Sequence, residues 1–178
     1  MQKLENHYTN LCKRKSDVRE HLPILRRYAS KVKTITEFGF RTGRSTAAML
    51  VAQPKKLTTY DITGCKKYVD NLKAMVPSHI NFVFIQGDTL KVEIEKTELL
   101  FIDSWHVGPQ LKAELIRHAS KVEKYIILHD TETFKLVGED IISPGLQVAI
   151  DWFLRNNQNW HIHEVFKNNN GLTVLKKS

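Results

Sequence analysis

The sequence predicts a three-layer α/β sandwich with a mostly parallel sheet and a C-terminal antiparallel hairpin. Three observations predict it. From Lys33 onward, short β-branched and aromatic runs alternate with segments of helical period, the pattern of successive βαβ units. Near the C-terminus two strand-like runs flank Asn168-Asn169-Asn170-Gly171, and Asn-Gly suits a hairpin turn that needs positive φ. No repeat, low-complexity tract or Gly/Ser/Pro-rich linker divides the chain, so residues 1–178 read as a single domain.

The first sixteen residues read as a short helix or a flexible lead. Val18, Leu22, Leu25, Ala29 and Val32 then recur at steps of four and three and lay an apolar stripe on one helix face, with Pro23 in the first turn, where its missing N–H costs little. Thr34 to Phe38 reads as the first strand, Gly39 to Arg44 as a turn, and Ser45 to Gln53 as a helix closed by Pro54. Leu57 to Ile62 is a second strand; Cys65, Val69, Leu72 and Val76 mark a helix face that Pro77 ends. Ile80 to Ile85, Glu98 to Ile102 and Tyr125 to Leu128 are three further strands. Leu111, Leu115, Ala119 and Val122 line the helix between the last two, and Leu146, Ile150, Phe153 and Leu154 the helix that follows. Trp160 to Phe166 and Leu172 to Leu175 form the hairpin, with His161 and His163 on its exposed face.

Composition excludes several classes. With 42% hydrophobic and 26% charged residues, eight Gly and five Pro, the chain is globular in make-up rather than disordered or fibrous. Its apolar runs fall far short of the roughly 18 residues that span a bilayer, and its polar start lacks a signal-peptide core, so the expectation is a soluble, cytoplasmic protein without a membrane partner. Cys12 and Cys65 read as free thiols. The net charge of +8 permits attraction to nucleic acid, but the 27 Lys and Arg residues are scattered, and a solvated basic surface is favoured.

The residues that carry chemistry fall where strands end. Glu37-Phe38-Gly39-Phe40-Arg41-Thr42-Gly43-Arg44-Ser45 runs from strand through a glycine turn into a helix. Gly39 allows a sharp turn and close approach of a ligand, Gly43 close passage into the helix, and Ser45 or Thr46 a cap. The Glu37 carboxylate would repel a phosphate and attract the ammonium of an amino-acid moiety. Asp61 ends the second strand, where a carboxylate can grip a ribose diol by two hydrogen bonds, and Gly87-Asp88 follows the third, where an adenine amino group could be met.

Ligands of open parallel sheets bind beyond the carboxyl ends of the strands, so Glu37, Asp61, Asp88 and Asp103 converge on one crevice. Asp103-Ser104-Trp105-His106 and His129-Asp130 bring two Asp and two His residues to the same rim. Two readings stand. The carboxylates with imidazole bind a divalent metal that orients a substrate hydroxyl, or His106 or His129 serves as general base.

Taken together, Thr36 to Thr46, Asp61, Gly87-Asp88, Asp103-Ser104-Trp105-His106 and His129-Asp130 resemble the class I S-adenosylmethionine-dependent methyltransferases, in the branch of cephalosporin hydroxylase-like and small-molecule O-methyltransferase proteins, over Asp17 to Ser178. The resemblance implies a Rossmann-like fold and a methyltransferase acting on the hydroxyl of a small molecule. It implies cofactor contacts from Glu37, Gly39, Arg41, Thr42, Gly43, Ser45, Asp61, Gly87, Asp88, Asp103 and Ser104. It further implies a magnesium- or manganese-type ion at Asp103, His129 and Asp130, and catalytic parts for His106 and Asp130. Arg41 stands where the family more often has a small residue, and Ser120 to Lys124 replaces the usual Gly-Gly before the fifth strand. Other readings stay open: a cofactor-binding module without its own catalysis, an RNA ribose methyltransferase, and assembly as a homodimer.

Overall fold

The computed structural model describes residues 1–178. Its strands are β1 Thr34–Phe38, β2 Lys56–Asp61, β3 Asn81–Gln86, β4 Thr97–Ile102, β5 Val122–His129, β6 Trp160–Phe166 and β7 Leu172–Lys177. They form one sheet in the order β3-β2-β1-β4-β5-β7-β6. The first five are parallel, and β7 runs antiparallel between β5 and β6. The helices are α1 Gln2–Lys13, α2 Leu22–Ala29, α3 Arg44–Val51, α4 Lys66–Lys73, α5 Gly108–His118 and α6 Leu146–Asn156. This is the expected Rossmann-like three-layer arrangement with a terminal antiparallel hairpin.

The sheet is apolar on both faces because successive residues of a strand point to opposite sides. In β4, Leu99 and Phe101 join a core shared with α1 to α4, and Leu100 and Ile102 join one shared with α5 and α6. All four are 5% exposed or less, and burial of each such side chain contributes roughly 1.5–3 kcal/mol. None of the helices is long and apolar enough to cross a membrane.

The apolar stripe from Val18 to Val32 does not form one helix. Arg19–His21 makes a 3-10 turn and α2 begins at Leu22 with Pro23 in its first turn, since proline lacks an N–H to continue an earlier helix. Val18 and Val32 remain buried on either side. Cys65 lies not on a helix face but before α4, at φ +41. Val122 opens β5 rather than closing the preceding helix. At the hairpin, Gly171 takes φ +90, and a Cβ there would fall 2.4 Å from the Glu132 nitrogen, so the turn presses on the segment after β5.

Candidate active site

Strand order reverses at β1, whose neighbours are β2 and β4, and a crevice opens at the carboxyl ends of these strands. It has a volume of about 820 Å³ and is lined by Gly39, Arg41, Asp61, Gly87, Asp88, Asp103, Ser104, His106 and Asp130 among others. A smaller cavity of about 300 Å³ adjoins it and shares Asp17, Gly39, Arg41 and Asp103; Thr42 and Ser45 line this one. Arg41 donates to Asp17 across the boundary between the two.

The loop after β1 is shaped by backbone contacts. Gly39 sits at φ +90, its N–H donates to the Tyr60 carbonyl at 2.9 Å, and a Cβ on it would lie 2.0 Å from the Asp103 carbonyl oxygen. Only glycine fits there. Gly43, at φ +74, is instead walled by the Leu72 and Phe40 side chains, so its smallness serves packing. Asp61 holds the loop from below: one carboxylate oxygen accepts from the Arg41 N–H at 2.7 Å, and the other accepts from the N–H and hydroxyl of Thr63 at 2.8 and 2.7 Å.

Glu37 lies behind the loop rather than in the crevice. It is 0% exposed and lines neither cavity, because the hydroxyls of Ser45 and Thr46 donate to its two oxygens, each at 2.6 Å. Burial raises its carboxyl to about 7. The direct contact with a ligand ammonium expected from sequence is replaced by a tie between β1 and α3. Asp88 faces the crevice but also caps its own turn, accepting from the Leu90 N–H at 2.9 Å and pairing with Lys91 at 3.2 Å.

At the ends of β4 and β5 the ionisable groups form a compact cluster. His106 Nε2 lies 2.8 Å from Asp130 Oδ2 and 3.2 Å from Asp103 Oδ1, while His106 Nδ1 is 3.1 Å from Glu139 Oε2. His129 Nδ1 lies 3.2 Å from both Asp103 Oδ1 and Asp130 Oδ2. Burial opposes every charge here, yet the pairing prevails: Asp103 is lowered to about 2 by His129 and His106, and Asp130 falls well below the usual carboxylate range. Asp103 and Asp130 in turn raise His106 and His129 to about 10. The His106 ring also stacks on Phe134, with centroids 5.0 Å apart. Asp130 Oδ1 is buried without a partner.

The sequence matches no protein-family model and no curated protein significantly. Solved structures do match. N-methyltransferase NodS from Bradyrhizobium japonicum, in complex with S-adenosyl-L-homocysteine, has a TM-score of 0.67 at 15% identity, over 99% of this chain and 97% of that one. The O-methyltransferase TomG from Streptomyces achromogenes, in complex with S-adenosylmethionine, has a TM-score of 0.67 at 15% identity, over 90% and 80%. Magnesium protoporphyrin IX methyltransferase from Synechocystis, with bound S-adenosylmethionine, has a TM-score of 0.65 at 12% identity, over 91% and 82%. The fold is that of the S-adenosylmethionine-dependent methyltransferases.

Within this methyltransferase fold, Asp61, Asp88, Asp103, Ser104, His106 and Asp130 share one crevice, while His129 stands beneath its rim and Glu37 behind its loop. Several residues of the site escaped the sequence reading. Glu114, on α5, is 0% exposed and accepts from Thr89 at 2.6 Å, Ser104 at 2.9 Å and Gln110 at 3.0 Å, so it stiffens the crevice wall. Burial raises its carboxyl. Its one sequence signal is a position on the buried face between Leu111 and Leu115. Glu139 and His21 come from distant segments and carried no local signal.

Proposed function

We propose that the protein binds S-adenosylmethionine in the crevice and transfers its methyl group to the hydroxyl of a small molecule. The observation that carries this reading is the crevice itself, placed where the sheet order reverses and built on a glycine backbone with no room for a side chain. Asp61 would hold the ribose, Gly39 and the Arg41-Thr42 loop the methionine part, and Gly87-Asp88 with Asp103-Ser104 the adenine side. Glu37 acts through Ser45 and Thr46 by fixing the loop against β1.

When bound, the cofactor supplies a methyl group on a cationic sulfur, open to in-line displacement by an oxygen. The chain contributes mainly position, and holding two reactants in line is worth a large part of such a barrier. His106, poised at about 10, keeps its proton near neutrality and steadies the two aspartates as a cation. Asp130 lines the crevice, and its carboxylate would accept the substrate hydroxyl's hydrogen bond and take its proton as the oxygen–methyl bond forms and the sulfur–methyl bond breaks.

The same donors fit a divalent ion. One ligand atom each from Asp103, His129 and Asp130 lies within 4.8 Å of the others, and the partnerless Asp130 Oδ1 is an atom such an ion would satisfy. Imidazole beside two carboxylates favours manganese over magnesium. The ion would supply Lewis acidity toward the bound hydroxyl.

Isothermal calorimetry with S-adenosylmethionine and S-adenosylhomocysteine tests the reading. Both ligands are expected to bind, and Asp61→Ala to weaken them at least about tenfold, the value of a lost charge-assisted hydrogen bond of roughly 1.5–3 kcal/mol. No heat with either ligand would remove it. Transfer to hydroxyl acceptors is then read with labelled cofactor; silence across phenolic, sugar and nucleoside acceptors despite tight binding would leave a cofactor-binding module.

A further inference from the structure

Beneath the site two histidines from distant parts of the chain meet. His21 closes the 3-10 turn before α2, and His129 is the last residue of β5. Their rings stand edge to face with centroids 5.2 Å apart, and His129 Nε2 lies 3.1 Å from His21 Nδ1. Both are buried, at 0% and 2% exposure.

We propose that His21 is a positioning residue that holds the His129 ring with Nδ1 turned toward Asp103 and Asp130, so that Nδ1 is the atom offered to a cation; this rests on the divalent-ion reading above. An imidazole can rotate by half a turn about its Cβ–Cγ bond with little change in shape. In the rotated ring a carbon would face the two carboxylates, and Nε2 would leave His21. The hydrogen bond to His21 forbids that exchange. It also sets the proton: for Nδ1 to present a lone pair, Nε2 must carry hydrogen and donate it, and His21 Nδ1 is the acceptor in place. Without an ion, the ring keeps Nε2–H on His21 Nδ1 and directs a second proton, on Nδ1, at the carboxylates. A histidine suits position 21 because its Nδ1 lone pair meets that Nε2–H in both states.

Pro23 stands two residues after His21 in the first turn of α2, and His21 Nε2 has no side-chain partner. Packing alone would be served as well by an apolar ring, whereas His21→Phe leaves His129 Nε2 without its partner in a dry site.

The test uses the full chain with Mn²⁺ as probe, its binding followed by electron paramagnetic resonance. His21→Phe is expected to weaken Mn²⁺ roughly ten- to a hundredfold, the usual cost of losing the partner of a metal-bound histidine, and His21→Asn, whose amide reaches the place of Nδ1, to restore most of it. Equal affinity in wild type and His21→Phe would overturn the proposal. A second measurement needs neither variant nor metal: a ¹⁵N–¹⁵N coupling across the hydrogen bond between His129 Nε2 and His21 Nδ1 is expected in the labelled wild type. Its absence also overturns the proposal. If Mn²⁺ fails to bind the wild type, the divalent-ion reading falls, and the coupling alone decides whether His21 holds the His129 ring.

Discussion

His106 Nε2 lies 2.8 Å from Asp130 Oδ2, and this contact joins the turn after β4 to the turn after β5. Asp130 reaches it from a backbone at φ +58, a left-handed conformation that costs a non-glycine residue roughly 1–2 kcal/mol and that Asp tolerates better than most. Both side chains are largely withdrawn from water, so attraction between them is offset by lost hydration, and the pair is a poor source of net stability. A strained backbone that brings a costly pair together belongs to the site rather than to the core.

His106→Gln follows from that contact. The side chain stays polar but carries no charge, so Asp103 and Asp130 lose one of the two cations between them. Methyl transfer is expected to fall by roughly 10²–10³ in kcat, while S-adenosylhomocysteine affinity changes by less than about tenfold. Kinetics with labelled cofactor and calorimetry on the same preparation separate the two quantities. A joint loss of both would move His106 from the reaction to the cofactor.

Gly39→Ala tests the floor of the crevice. The new Cβ meets a backbone oxygen, the Asp103 carbonyl, at 2.0 Å, and alanine resists φ +90. The loop or β4 must shift, with a cost of about 2 kcal/mol or more in urea unfolding and loss of cofactor binding. A variant as stable as wild type would mean that the loop relaxes freely, and that the close approach has no bearing on the ligand.

Glu37 predicts a pH dependence of stability. Burial raises its folded carboxyl from 4.5 to about 7, so the folded chain binds this proton more tightly than the unfolded chain. Its contribution is therefore complete below about 4.5 and lost as the pH rises through about 7. The full effect is on the order of 3 kcal/mol. Urea unfolding from pH 5 to 8 should show the wild type losing stability relative to Glu37→Gln, and parallel curves for the two proteins would deny Glu37 this part.

How much of this was legible in the sequence depends on how far apart the cooperating residues lie. The strands were readable because their apolar runs are bounded by turns, and Asp61, Asp103 and Asp130 because strand ends of a parallel sheet face one edge. The break before α2 was written in Pro23, but the regular stripe from Val18 to Val32 outweighed it. Leu4, Tyr8 and Leu11 make α1 a packed helix by spacings of four and three, a signal as plain as the stripe that follows. Glu37 was located correctly but faces inward, because its direction depends on hydroxyls eight and nine residues later. His21 and His129 are 108 residues apart, and no local pattern announces their meeting.

The last prediction concerns the ion. Asp103 and Asp130 already draw positive charge from His106 and His129, so the cluster is complete without a metal in one state and able to take one in another. An ion that binds only the folded chain stabilises it by about 2.7 kcal/mol at a hundredfold excess over its Kd, which for a domain of this size raises Tm by roughly 5–10 °C. Mn²⁺ is therefore expected to raise the Tm of the wild type and to leave that of Asp130→Asn almost unchanged. The Asn side chain retains the shape and tolerates the left-handed backbone, so misfolding is a weak explanation for a missing shift. A chelator should slow methyl transfer by the wild type, and Mn²⁺ should restore it. If the chelator leaves transfer intact and Mn²⁺ stabilises both proteins equally, the ion has no place at Asp130, and the two imidazoles are the only cations these carboxylates use.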